Sequence, residues 1–457
     1  MLARLMIPGL IAATLALQPV SAHAQTGNGF FHSGKYIGFV PAHLRHEENL
    51  EQQIVGDATT EQRSENETAE EASLPIVPIA FEVVEGKPLQ VPDASYVVTP
   101  SIGSGYCQIP RFWGRADYLV WWTSEMDAPS LATTGPAAPP NQVGVLGQPG
   151  TTTLFGGELL DGERSGGRFT LGFWLDDCRR RGIDVSYLQL SNESESFSAS
   201  QNEFPVLARP FFNTQTSAQD ARRIALAGEV QGILSVQAST EFQALEVLYR
   251  SASDCFPCQR AEFLFGYRFA ELDERLGISE STLALGGAAP GAMIDLTDRF
   301  EAENEFHGGE LGVRLEGAAA DCFAWELLAK VAVGNTRSRA RVSGQTTTTA
   351  AGATAMTSAG LLAQATNSGA FEQDEFSAIW ELGITLRREL ACGFTGRLGY
   401  TLLLWQDVSR VGNQIDTTIN PSQIPPGALV GEPRPGFAFQ TSDFWAHGLN
   451  FGLEYVY

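Results

Sequence analysis

The sequence predicts an all-β chain closed into an antiparallel transmembrane β-barrel of about ten strands, preceded by a disordered N-terminal extension. Three observations lead there. Residues 444–457 (FWAHGLNFGLEYVY) place Leu449, Phe451, Leu453, Tyr455 and Tyr457 on one face and Gly448, Asn450, Gly452 and Glu454 on the other. A period of two is that of a strand with one apolar side. An aromatic last residue would be a sticky edge in a soluble sheet, whereas in a barrel the last strand seals against the first. The same alternation recurs along the chain, and short connections alternate with long ones. Abundant glycine and phenylalanine (47 and 27, against 5 methionines) suit strands and turns better than a helical bundle.

Residues 1–24 read as an export signal. Arg4 precedes an apolar run over 5–17, and Ala22-His23-Ala24 supplies a small-x-small cleavage site. Residues 25–106 lack a sustained hydrophobic period, are acidic over 47–71, and are punctuated by Pro75, Pro78, Pro88 and Pro92. Such composition buries too little apolar surface to order itself, so it reads as a flexible periplasmic extension, a spacer more readily than a tether. The barrel domain occupies 107–457.

Ten strands are expected, at 112–122, 166–176, 183–197, 238–250, 260–271, 300–316, 323–334, 376–387, 394–405 and 444–457. In the third, Leu188 and Leu190 fall on the polar side of the alternation, which a bulge could explain. Short links lie near 178, 254–259, 316–322 and 389–393. Long ones cover 123–165, 198–237, 277–298, 335–374 and 406–443. Tight periplasmic turns with long extracellular loops are what an outer-membrane barrel requires, and an even strand number puts both ends in the periplasm. Tyr118, Trp122, Tyr249, Phe263, Trp325, Trp380, Phe394 and Tyr457 are candidates for the interfacial girdles.

Cys107, Cys178, Cys255, Cys258, Cys322 and Cys392 all precede the first strand or sit in short turns. An even count in an exported chain predicts disulfides, here pinning the periplasmic rim, with connectivity open among 15 pairings. A redox or metal role for Cys255-Phe-Pro-Cys258 has no helix or histidine partner to support it.

The formal net charge of −23 removes nucleic acid from the list of partners. Faces opposite the apolar ones would line the lumen: Arg115, Asp117, Arg168, Glu246, Arg250, Arg260, Glu262, Arg268, Glu310, Arg314, Glu326, Lys330, Glu381, Arg387, Arg397 and Glu454. Both signs are mixed, and side chains nearly fill a barrel of this size. No phosphate-binding glycine loop, metal-ligand cluster or cofactor motif is visible, and no catalytic residue is assigned. His307 and His447 share parity with apolar neighbours, so a lipid-side triad of His447 with Ser442 or Asp443 is set aside.

Several stretches carry a family resemblance. They are Phe300-x3-Asn304-x-Phe306-x-Gly308-Gly309-x2-Gly312, Lys330-Val-Ala-Val-Gly334, Leu398-Gly-Tyr-Thr-Leu-Leu-Leu-Trp405, Asn413-Gln-Ile-Asp416 through Asn420-Pro421, and Phe444-Trp445-Ala-His-Gly448 through Gly452. Over 107–457 the chain resembles the seventh putative β-barrel porin family of bacterial outer membranes. The resemblance implies an outer-membrane barrel, named a porin by analogy and without an established substrate. The resulting expectation is porin-like passage of small solutes through a narrow charged lumen, and the alternative is a closed barrel or envelope anchor displaying its loops. Expected partners are outer-membrane lipid, small solutes, and the barrel assembly machinery acting on the C-terminal strand that ends at Tyr457.

Overall fold

A computed structural model describes residues 111–457, apart from 138, 257–258, 288, 321–322, 391–392 and 425–426. The leader expected at 1–24 and the extension expected at 25–106 lie outside the described residues.

The chain is strand and turn almost throughout. β1 (Phe112–Thr123) continues into β2 (Met126–Thr134), β3 (Thr152–Leu159) into β4 (Glu163–Trp174), and β5 (Arg181–Leu190) into β6 (Glu193–Ser200). A hairpin follows, β7 (Val206–Asn213) and β8 (Ala218–Leu226). Four long strands come next: β9 (Val230–Phe256), β10 (Gln259–Ala284), β11 (Met293–Ala320) and β12 (Phe323–Ala350). Short β13 (Ala353–Thr357), then β14 (Gly369–Glu389), β15 (Phe394–Ser409), two-residue β16 (Thr418–Ile419) and β17 (Thr441–Val456) complete the set.

The antiparallel ladder runs β1–β4–β5–β9–β10–β11–β12–β14–β15–β17, and β17 returns to β1 with Trp113 opposite Val456 and Thr123 opposite Ala446. Each member of this ring therefore has a hydrogen-bonded neighbour on both sides, and no backbone edge is left for lipid to meet. The all-β antiparallel expectation holds. Tyr457 donates its N–H to the Phe112 carbonyl at 2.8 Å, so the aromatic terminus closes onto the first strand.

The strands run much further than expected. Segments 277–298 and 335–374, expected as long loops, are largely strand, which covers all but 285–292 of the first and all but 351–352 and 358–368 of the second. The reason is a change of surroundings along each strand. Near the short turns, β10 points Phe263, Phe265 and Tyr267 outward and Glu262 and Arg268 inward. Further along, it points Asp273 and Arg275 outward and buries Leu272, Leu276 and Ile278 inside. A membrane needs only about 9–11 residues per strand, whereas β10 to β12 have 26 to 28. Beyond the hydrocarbon the polarity of the two faces exchanges, and a search for apolar outward faces stops there.

The same exchange corrects the reading of Leu188 and Leu190. β5 pairs with β4 and with β9 in unbroken register through Gln189, so no bulge precedes either leucine; the one-residue slip comes after them, where Gln189 faces Gln243 but Glu193 faces Thr240. Both leucines are buried on the face that also carries Asp184. They point inward because the lumen itself becomes apolar at their height. A bulge does occur in β15 between Trp405 and Val408, where Asp407 adopts φ 57°.

The long-loop end is filled by chain. The β7–β8 hairpin, residues 359–363 and residues 411–419 pack with β2, β3, β9, β10 and β11 in one apolar core that includes Leu131, Phe211, Leu276, Phe300, Leu361 and Val411. Asp298 ties two of these segments to the wall. Its Oδ2 accepts from Arg209 of β7 at 2.5 Å, and its Oδ1 accepts from the Leu362 and Ala363 N–H groups at 3.1 and 2.8 Å. Gly344 and Gly360 permit that approach: a Cβ on Gly344 would lie 2.2 Å from the Ala363 carbonyl, and one on Gly360 2.0 Å from Asp298 Oδ1.

Among the cysteines, Cys178 is exposed and has no disulfide partner among the described residues. The side chains of Cys107, Cys255, Cys258, Cys322 and Cys392 lie outside the described residues, so the expected rim of disulfides gains no support.

Candidate functional site

Strand alternation places all sixteen charged residues named above on the inward face of the ring. They form two ion-paired groups at successive heights. Nearest the short turns, Arg397 donates to Glu326 at 2.9 Å and to Glu454 at 3.0 Å. Arg314 and Arg260 each reach Glu262 at 3.0 Å, Arg115 lies 3.1 Å from Asp117, and Arg387 lies 3.0 Å from Glu316. Arg250 pairs with Asp184 and lies between the rings of Trp113 and Trp174, 4.7 and 4.8 Å from their centroids.

The second group is tighter. Arg268, fully buried, meets Glu310 and Glu381 at 3.0 Å and Glu246 at 3.3 Å. The Lys330 ammonium meets the same three carboxylates at 2.7 Å (Glu246), 3.0 Å (Glu381) and 3.4 Å (Glu310), and Arg168 adds a contact to Glu381 at 3.1 Å. The three carboxylates converge closely enough to hold a metal ion. Lys330 and Arg268 already supply the compensating charge there, and both are directly bonded to the acids. Desolvating so many ions is tolerable only because nearly every charge is met by an opposite one.

Above this group Arg168 lies 5.5 Å from the Trp121 ring centre, and the lumen turns apolar. Leu119, Trp121, Leu190, Phe242, Leu272, Phe306, Ile379, Leu403, Trp405 and Phe444 form a layer of fully or almost fully buried side chains across the bore. Their few polar atoms are satisfied: Trp121 Nε1 donates to Asn450 at 2.7 Å, and Trp405 Nε1 to Thr336 at 3.1 Å. A cavity of about 170 Å³ opens at the short-turn mouth, and one of about 30 Å³ lies further in beside Arg168, Leu328 and Asn450.

The sequence reading omitted several buried charges. Asp184 shares the inward parity of its strand and Glu316 that of Arg314, so both were legible. Arg209 with Glu280 and Asp298, and Arg410 with Glu274 at 2.6 Å, sit in the apolar long-loop core. No local pattern marks them, because their partners are 71 to 136 residues away.

His447 stands on the outer wall, as expected from its parity. Its Nδ1 is 2.6 Å from the Tyr400 hydroxyl, and its ring stacks on Trp445 at 5.0 Å. Ser442 Oγ instead accepts from Asn413, and Asp443 from the Asp407 N–H. His307 repeats the arrangement with Tyr267 at 2.5 Å. Both Tyr–His pairs bridge neighbouring strands on the outer face, β10 with β11 and β15 with β17. Among the described residues no helix is long and apolar enough to cross a membrane.

A closed ring of strands with an outward apolar band, polar lumen and short turns at one end defines a bacterial outer-membrane β-barrel. Residues 113–457 match the family described as Putative beta barrel porin-7 (BBP7), and the chain belongs to that family. No curated protein matches it. Among solved structures, the outer membrane protease OmpT from Escherichia coli is similar at 6% identity and a TM-score of 0.35, over 77% of this chain and 98% of that one. A Pseudomonas aeruginosa FadL homologue gives 8% identity and a TM-score of 0.21, over 76% and 90%. The P. putida toluene transporter TodX gives 8% and 0.18, over 76% and 89%. Scores this low establish no shared topology.

Proposed function

We propose that this protein is a closed outer-membrane barrel whose role is to anchor and display the folded head at its long-loop end. The observation that carries this reading is the apolar layer across the lumen, because it leaves no polar path between the ion-paired half and the head. Water and ions avoid an apolar constriction. The strands β9 to β12 support the reading too. They continue some 15 residues beyond what the membrane needs, and at about 3.3 Å per residue they raise a wall well clear of the lipid.

Passage of small solutes is the competing reading, and the family name favours it. It would require the layer around Trp405 and the inserted β7–β8 hairpin to move together. Planar-bilayer recording with the full chain separates the two. A closed barrel gives no steady conductance over a range of voltages and no solute-dependent swelling of proteoliposomes. Long-lived openings of the wild-type chain would sink the anchor reading and restore the channel.

A further inference from the structure

The cavity at the short-turn mouth is lined by seven arginines and four glutamates, in a chain whose overall charge is −23. Even after Asp117 and Asp184 are counted with their partners Arg115 and Arg250, cations remain in excess. The hydrogen-bond inventory points the same way. Trp113 Nε1 and the Nε atoms of Arg179, Arg250, Arg314 and Arg387 are buried without a hydrogen-bond acceptor among the described residues, and Arg115 Nε faces Asp117 at 3.1 Å without hydrogen-bond alignment. None of the carboxylate oxygens lining the cavity is similarly orphaned. Trp113, Arg250 and Arg314 are each more than nine-tenths buried, so bulk solvent does not satisfy them.

A site with surplus donors and surplus positive charge is complementary to a group that only accepts. We propose that this cavity binds a phosphate group, held by guanidinium N–H donors with the Trp113 indole N–H as a neutral contributor. About 170 Å³ accommodates one tetrahedral oxyanion with a few waters, and guanidinium forks match its paired oxygens. Arg179 is the key residue. It lies in the turn after β4 with φ 53°, at the rim, and has no ion pair among the described residues. A site at the rim is reachable both by free phosphate and by the phosphate of a lipid headgroup in the adjoining leaflet. The proposal is independent of whether the barrel conducts.

The test uses the full chain in a non-phosphate detergent. Isothermal titration with inorganic phosphate, against chloride at matched ionic strength, is expected to give a saturable heat that chloride does not reproduce. Arg179→Gln is expected to weaken it about tenfold, the loss of one charge-assisted contact. Trp113→Phe, which removes only the N–H, weakens it severalfold. Native mass spectrometry from micelles doped with phosphatidylglycerol is the second arm. A retained lipid that Arg179→Gln releases supports the same site with a headgroup as source. Folding of each variant is checked by its heat-dependent gel mobility, and if Arg179→Gln fails to fold it is replaced by Arg179→Lys, which keeps the charge but loses the guanidinium fork and is expected to bind severalfold more weakly than wild type. If neither phosphate nor lipid binds saturably, or if both bind equally well to Arg179→Gln, the proposal is overturned and water fills the cavity.

Discussion

The two halves of this barrel are built from the same strands and turned inside out relative to each other. In the short-turn half, Phe265, Leu311 and Phe451 face outward while Arg268, Glu310 and Lys330 fill the inside. In the long-loop half, Asp273, Glu301 and Arg341 face outward while Leu276, Phe300 and Val342 fill the inside. Backbone pairing is continuous through the change: β10 and β11 keep one register from Gln259 opposite Gly317 to Leu283 opposite Met293. The ladder thus fixes only that alternate residues face opposite ways. Whether a face is oily is decided by what surrounds it, lipid below and water above.

The comparison makes its largest prediction in the ionic half. Lys330→Met would leave Glu246, Glu310 and Glu381 with too little positive charge and should cost on the order of 3–5 kcal/mol. Urea unfolding in lipid vesicles would measure it, and adding Glu381→Gln should recover part of the loss. Equal stability of Lys330→Met and wild type would mean that the ion pairs are dispensable filling.

In the apolar half, Leu276→Ala should cost about 2–4 kcal/mol through lost burial and a residual cavity. Hydrogen exchange should show that loss first in the head, around β7 and residues 359–363, and leave the short-turn half protected. A uniform loss of protection would show that the halves unfold as one unit.

A smaller effect is expected on the outer wall. Asp273 is half-buried, and that burial, with Glu271 beside it and Glu303 opposite, pushes the pKa of its carboxyl up to about 6, while Arg275 opposes the shift. The folded chain then holds this proton more tightly than the unfolded chain does. The associated stability is complete below about pH 4 and is lost as pH rises through about 6. Asp273→Asn should therefore raise the Tm near pH 8, and the gain should vanish near pH 4. A gain of the same size at both pH values would remove the titration from the explanation.

The smallest effect belongs to the exposed pair Arg341–Glu301, at 3.1 Å. Arg341→Gln should change stability by less than about 1 kcal/mol, and less still in high salt.

The short-turn half was legible in the sequence because lipid outside imposes a strict rule on every second residue. Arg268 and Phe265, three apart on β10, already announce opposite faces. Leu188 and Leu190 were readable only as a break, since the sequence does not say where the lipid stops. The cradle of Glu246, Glu310 and Glu381 around Lys330 was invisible, although each residue had been assigned an inward face. Its four members come from four strands, and a local pattern contains no distances across the bore.

The chain by itself determined the alternation, the strand class and the seal between Phe112 and Tyr457, because these follow from local periodicity and from the demand that no backbone group meet lipid unpaired. The tertiary structure decided how far the strands rise, which loop segments pack into the long-loop core, and that a layer of buried apolar side chains lies above the ion pairs. Those outcomes depend on contacts between residues up to 136 positions apart, such as Arg410 with Glu274. Only closure of the ring brings them together.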